Sequence, residues 1–111
     1  MSDQGSGAAD GTIVVNSLSD QKANPLSGVC TLREAIGNAN SPGIDTSKGN
    51  CPLGTGNDVI SFSVSGTIVL TSTLPSILNT LSIEGTGQNI TIDGNGQNQI
   101  FLIYHGATLT L

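Results

Sequence analysis

The fold is decided by residues 58–70, which read DVISFSVSGTIVL. From Ile60 to Val64 apolar side chains alternate with serines, so one face of the segment is apolar and the other carries hydroxyls. A period of two is typical of a β-strand with one buried face. Gly66 then turns the chain, and the apolar face continues at Ile68 and Leu70. The stretch therefore predicts short strands separated by tight turns.

Similar phrases recur along the second half of the chain. They are residues 66–70 (GTIVL), 80–85 (TLSIEG), 89–94 (NITIDG) and 107–111 (ATLTL). Self-similarity of this kind predicts an all-β solenoid whose coils stack their aliphatic side chains. A two-sheet sandwich with the same number of strands stays open as the alternative.

The composition supports short strands and excludes several classes of partner. Of the 111 residues 36% are hydrophobic, 3% are aromatic and 10% are charged, with a net charge of −5. Three Lys and Arg residues form no basic patch for nucleic acid or for an anionic membrane surface. No apolar run approaches the roughly 20 residues of a membrane span. We therefore expect neither a nucleic-acid partner nor a membrane span.

The clearest helix signal lies at residues 31–34, TLRE, which have the S/T-x-x-E spacing of a capping box. In such a box the Thr31 hydroxyl accepts from the Glu34 amide, and the Glu34 carboxylate accepts from the Thr31 amide. The pattern predicts a helix over residues 32–40, ended by Pro42 and the residues beside it. We expect Arg33 to tie this helix to the first coil; a binding role for Arg33 and Glu34 is the alternative.

Of the two cysteines, Cys30 precedes the predicted helix and Cys51 lies in the loop of residues 41–57 that follows it. An even count in a chain rich in Thr, Asn and Gly predicts one disulfide in an oxidising compartment. That bond would tie the loop to the start of the helix. Two unrelated buried thiols are the alternative.

These signals divide the chain into three segments. Residues 1–10 are expected to be a disordered leader, residues 11–57 an N-terminal cap of strand, helix and disulfide-tied loop, and residues 58–111 the coils. The chain stops at Leu111 inside a strand phrase. An open coil exposes backbone groups and apolar side chains, so we expect it to form a homo-oligomer or to pair with further coils of a longer parent chain. The residues expected to form this self-association edge are Ile100, Leu102, Tyr104, Leu109 and Leu111.

Residues 30–36, CTLREAI, followed by Asn38-Ala39-Asn40, resemble the CSLREA motif. That motif marks the N-terminal region of many bacterial secreted or surface β-helix proteins, and the similarity extends over roughly residues 12–111. It implies a right-handed parallel β-helix of the pectate-lyase-like type, sealed by one short N-terminal capping α-helix. It also implies export, and adhesion or carbohydrate contact by the parent protein. It brings no catalytic residue.

The remaining reactive side chains do not predict an active site. Glu84 and Asp93 share the outward parity of their strands, but calcium needs more oxygen ligands than this pair supplies. No Lys or Arg follows Lys48, and His105 has no triad spacing. We expect no catalytic residue, no metal and no cofactor. The expected function is a structural or interaction module; the alternatives are a fragment of a polysaccharide lyase or hydrolase, and a carbohydrate-binding module.

Overall fold

The computed structural model describes residues 11–21, 24–96 and 99–111, and the expected leader of residues 1–10 lies outside the described residues. The described part of the chain contains one helix and six strands. In chain order they are β1 (Gly11–Val15), α1 (Leu32–Asn40), β2 (Asn57–Phe62), β3 (Gly66–Val69), β4 (Thr80–Ile83), β5 (Ile90–Asp93) and β6 (Thr108–Thr110). The helix has the bounds that its capping box predicts.

The strands form two parallel sheets, one with the order β1-β2-β4-β6 and one with the order β3-β5. The register places Ile13 opposite Ile60, and Ile60 opposite Ile83. In the second sheet Ile68 lies opposite Ile92. Because alternate side chains of a strand share a face, these residues point inward together. The inward residues of both sheets and of α1 belong to one aliphatic core.

Helix α1 lies in the connection between β1 and β2 and packs against both strands. Its apolar face is buried in the common core through Leu32, Ala35, Ile36 and Ala39. Neighbouring parallel strands need a long crossover, and a helix is its usual content. β1, α1 and β2 therefore form a βαβ unit.

The prediction of an all-β solenoid, a right-handed parallel β-helix with a capping helix, is wrong. The described residues form a small α/β-type domain with a radius of gyration of 13.2 Å, built from two parallel sheets and one helix. Paired positions recur at unequal intervals, since Gly11 pairs with Asp58, Asn57 with Thr80, and Thr80 with Thr108. Every short strand with one buried face needs the same alternation, so similar phrases do not establish a repeating coil.

The pairing of the strands also bears on the alternative fold and relates the two expected segments to each other. Every pairing between described strands is parallel, so an antiparallel sandwich is also excluded. The boundary expected between residues 57 and 58 falls inside β2, which pairs with β1 on one side and with β4 on the other. The segments 11–57 and 58–111 therefore share one sheet and one core.

Candidate functional site

A disulfide joins the start of α1 to the loop that follows the helix. The sulfur atoms of Cys30 and Cys51 lie 2.04 Å apart, and the bond closes a loop with a sequence separation of 21. Both cysteines are buried in the core. A disulfide in such a small domain is consistent with an oxidising, extracellular compartment.

The capping box at the start of α1 is present with both of its hydrogen bonds. The Thr31 hydroxyl accepts from the Glu34 amide at 3.2 Å, and the Glu34 Oε1 atom accepts from the Thr31 amide at 3.2 Å. The other oxygen of Glu34 accepts from the Asn50 side chain at 3.5 Å. Thr31 and Glu34 are both buried. The carboxylate of Glu34 is thus part of the framework of the domain.

The side chain of Arg33 extends from α1 and forms a largely buried ion pair with Asp20. Its Nε and Nη2 atoms donate to the two carboxylate oxygens of Asp20 at 3.1 and 2.9 Å, and it also donates to the carbonyl groups of Ser72 and Thr73. The amide and hydroxyl of Thr71 donate to Asp20 as well. Burial raises the pKa of Asp20, but these hydrogen bonds and the charge of Arg33 bring it below its ordinary value. Arg33 therefore fastens α1 to residues 71–73.

Asn38, a buried residue of the CSLREA-like stretch to which sequence analysis gave no role, organises the loop of residues 41–56. Its Nδ2 atom donates to the carbonyl groups of Pro52 and Cys51 at 2.8 and 3.2 Å. Its Oδ1 atom accepts from the Thr46 amide at 2.6 Å. These partners lie seven or more residues along the chain, so the sequence around Asn38 does not show what its side chain binds.

Asn50 has the same role for the loop before the helix, and it too was missed. Its Oδ1 atom accepts from the amides of Ser27 and Gly28 at 2.8 and 3.3 Å, and its Nδ2 atom donates to the carbonyl of Asn24 at 2.9 Å. Asn50 is buried and lies next to Cys51 in the chain. The loop of residues 24–28 is therefore held by the Asn50 side chain beside the disulfide and by the Asn16 side chain, which donates to the carbonyl of Gly28 at 2.8 Å.

The titratable residues of the second half of the chain do not assemble. Glu84 directly follows β4, Asp93 ends β5, and His105 lies in the turn of residues 104–107; all three are exposed. In the part of the chain that the structure describes, no three His, Cys, Asp or Glu side chains are placed to hold a metal ion.

The five residues predicted to form a self-association edge lie on three segments. Leu109 belongs to β6 and Leu111 follows it, whereas Leu102 and Tyr104 flank a residue that pairs with Ile77. Leu111, Tyr104 and Leu102 are 78%, 57% and 45% exposed. Leu109 and the fifth residue, Ile100, are half-buried. The predicted edge is therefore an irregular surface, of which β6 forms one part.

A cavity of about 360 Å³ opens between the two sheets beside this surface, and sequence analysis did not anticipate it. It is lined by Phe62, Ile83, Gly85, Ile90, Ile92, Ile100, Phe101 and Leu111. None of these side chains is charged or can donate a hydrogen bond. β5 and β6 are the last strands of their sheets, and no described strand pairs with their outer edges. We call the cavity together with the outer edges of β5 and β6 the apolar mouth.

No protein-family model, curated protein or solved structure matches this chain. Among the described residues no helix combines the length and apolar character needed to cross a membrane. The apolar mouth combines a cavity with a wholly apolar lining and an outer strand edge that no described strand pairs with.

Proposed function

We propose that this chain is a non-enzymatic structural and interaction module of a secreted or cell-surface bacterial protein, and that it self-associates through the apolar mouth. The observation that carries the proposal is the uncharged outer edge of β6 beside exposed apolar side chains. Residues 99–111 contain no Asp, Glu, Lys or Arg. Association at this surface therefore places no charged side chain of this segment at the interface.

The edge of β6 lacks the features that usually prevent strand pairing. Natural sheets protect their outer strands with charged side chains, proline or a covering element. β6 has the sequence TLT, and no described element covers its outer edge. Unpaired backbone amides and carbonyl groups can accept a strand from another chain, as in β-augmentation. Burial of Leu102, Tyr104 and Leu111 would add to the free energy of association.

Two observations support export to the cell surface. The Cys30–Cys51 disulfide is buried, and such bonds persist in oxidising compartments. The similarity of residues 30–36 to the CSLREA motif favours an exported bacterial protein.

A structural role is further supported by Asp58, whose buried carboxylate accepts from the amides of Thr55 and Gly56 instead of facing a cleft.

The proposal is tested by the mass of the particle in solution, measured by light scattering over a range of concentrations. We expect a dimer or larger species that dissociates on dilution. The double variant Tyr104→Lys/Leu111→Lys, called the mouth variant, should be monomeric because it places one charge on exposed Leu111 at the mouth and another on exposed Tyr104 of the surface beside it. Leu78→Lys is the matched control, since Leu78 is 43% exposed and does not line the cavity. A wild-type chain that stays monomeric at every concentration would contradict the proposal.

Incubation with acidic polysaccharides and calcium separates this function from the two alternatives. We expect neither turnover nor retention of the polysaccharide. An unsaturated sugar product would instead identify a lyase. Retention without product would identify a carbohydrate-binding module.

A further inference from the structure

We propose that Asn95 is a site of spontaneous deamidation, at which the backbone nitrogen of Gly96 attacks the side-chain amide of Asn95. The reaction needs no enzyme and no co-reactant except water, and it is independent of the proposed self-association. It follows from the order of these two residues, from the exposure of both, and from the way in which the other asparagines are held.

The reaction takes place within the chain. The nitrogen of Gly96 loses its proton and forms a bond to the side-chain carbonyl carbon of Asn95, while the side-chain nitrogen takes up a proton and leaves as ammonia. The product is a cyclic imide, which water opens at either of its two carbonyl groups. One opening gives aspartate, and the other gives isoaspartate, in which the backbone runs through the former side chain. No atom is oxidised or reduced.

Asn95 and Gly96 form an exposed turn shortly after β5. Their φ values of +61° and +68° lie in the left-handed region, as a type I′ turn requires of the Asn-Gly pair. The Asn95 amide donates to the Oδ1 atom of Asp93 at 2.8 Å, which fixes the turn on one side. A Cβ atom at Gly96 would meet no other atom within 4 Å. The space beside the Gly96 nitrogen is therefore open to the Asn95 side chain.

The other asparagines of the described chain lack this combination. Asn24 precedes Pro25, whose nitrogen has no proton to lose. Asn57 and Asn89 precede strand residues whose side chains hinder an attack by the backbone nitrogen. Only Asn95 precedes a glycine, which has no side chain to hinder it. The remaining asparagines are fixed by side-chain hydrogen bonds to other segments, and they are Asn16, Asn38, Asn40, Asn50 and Asn79.

Deamidation changes the charge of the chain and the length of its backbone. Either product adds a carboxylate near Asp93 and makes the net charge one unit more negative than −5. Isoaspartate also inserts a methylene group into the backbone after β5. The pairing of β5 with β3 ends at Asp93, before the modified residue, so we expect the products to stay folded. Modified chains should therefore accumulate with age as a folded, more acidic species.

The experiment ages the full chain in mildly alkaline buffer, which assists the loss of the amide proton, and identifies modified residues by fragmentation of its peptides in a mass spectrometer. We expect Asn95 to gain about 1 Da, and about 3 Da in water enriched in heavy oxygen, because one solvent oxygen enters the product. Aspartate and isoaspartate forms of the peptide should both appear. Asn57 and Asn89 are internal references and should change far more slowly.

Gly96→Ala tests the role of the glycine. Its methyl group hinders the attack, so Asn95 should deamidate several-fold more slowly than in wild type. Gly87→Ala is the matched control, since Gly87 is also exposed, has a φ of +82° and has open space around a Cβ atom. It introduces the same backbone strain elsewhere and should leave the rate at Asn95 unchanged. Circular dichroism checks that both variants fold.

Three outcomes would overturn the inference. The first is an Asn95 that stays intact while another asparagine changes. The second is an equal rate at Asn95 in wild type and in Gly96→Ala. The third comes from a parallel sample unfolded in urea: deamidation of Asn95 in that sample alone would show that the folded turn does not allow the ring to close.

Discussion

The carboxylate of Asp45 organises the turn on which Lys48 and Gly49 lie. It accepts from the hydroxyl and the amide of Ser47, from the Asn38 side chain and from the Gly49 amide. The hydroxyl and amide of Ser47 contribute most to lowering the pKa of Asp45 from 3.8 to about 2. The turn therefore depends on an ionised Asp45, although the residue is exposed.

Asp45→Asn should lower the free energy of unfolding at neutral pH, because an amide nitrogen cannot accept the amide hydrogens of this turn. A carboxyl with a depressed folded-state pKa stabilises the fold above its unfolded pKa, and this contribution is lost as the pH falls through the folded value. The difference between wild type and Asp45→Asn should accordingly shrink as the pH falls from 3.8 to about 2. Urea unfolding followed by circular dichroism at a series of pH values measures it.

Glu84→Gln is the control for Asp45→Asn, since it removes one negative charge from an exposed position outside the turn. A difference between wild type and Asp45→Asn that stays constant across the acid range would show that the bonds to Asp45 do not stabilise the fold through its charge.

At the scale of the elements, the residues that begin α1 could be predicted from the sequence, whereas the contacts between the helix and distant segments could not. Thr31 and Glu34 lie three residues apart, so the sequence displays the whole capping box. Alternation likewise predicted inward positions such as Ile60 and Ile68, because the period of a strand is visible within the chain. The partner of a parallel strand lies tens of residues away. Local similarity of phrases therefore suggested stacked coils where the chain forms a βαβ unit and two separate sheets.

Of the candidate site, too, one part could be predicted from the sequence and another could not. Exposed Tyr104 and Leu111 were predicted because apolar residues at an unprotected edge are visible in the sequence. The cavity was not, because its walls come from both sheets and from the segment between β5 and β6. The role of Asn50 was missed for a related reason, because its partners in the loop of residues 24–28 lie 22 to 26 residues earlier.

Arg33→Met should test how strongly the helix is fastened to residues 71–73. The change leaves the carboxylate of Asp20, 5% exposed, without its cation. Breaking a largely buried pair by removing one partner costs about 3 kcal/mol of the free energy of unfolding. Arg33→Lys should cost nearly as much, because one ammonium group cannot reproduce the planar fork that binds Asp20 and two carbonyl groups. Chemical denaturation measures both variants.

A double-mutant cycle separates this interaction from a general packing effect. Asp20→Asn removes the buried charge, so in its presence Arg33→Met should cost clearly less than it does alone. Additive losses in the double variant would contradict a direct coupling between the two side chains.

At the scale of the whole molecule, the domain has a small aliphatic core and one covalent bond across it. Aromatic residues make up 3% of the chain, and the core is built mainly from Ile, Leu and Val. A single core of this size leaves a modest net stability. The Cys30–Cys51 bond joins the segment before α1 to the segment before β2, so in the unfolded chain it restricts the stretch that contains α1 and the loop after it.

The double variant Cys30→Ser/Cys51→Ser should lose about 3 kcal/mol of unfolding free energy, the value expected for closing a loop of this length. Chemical denaturation of both chains measures the loss. Alkylation and intact mass of the wild type, expected to show no free thiol, provide the control for the bond itself. A double variant as stable as the wild type would contradict a stabilising role for the disulfide.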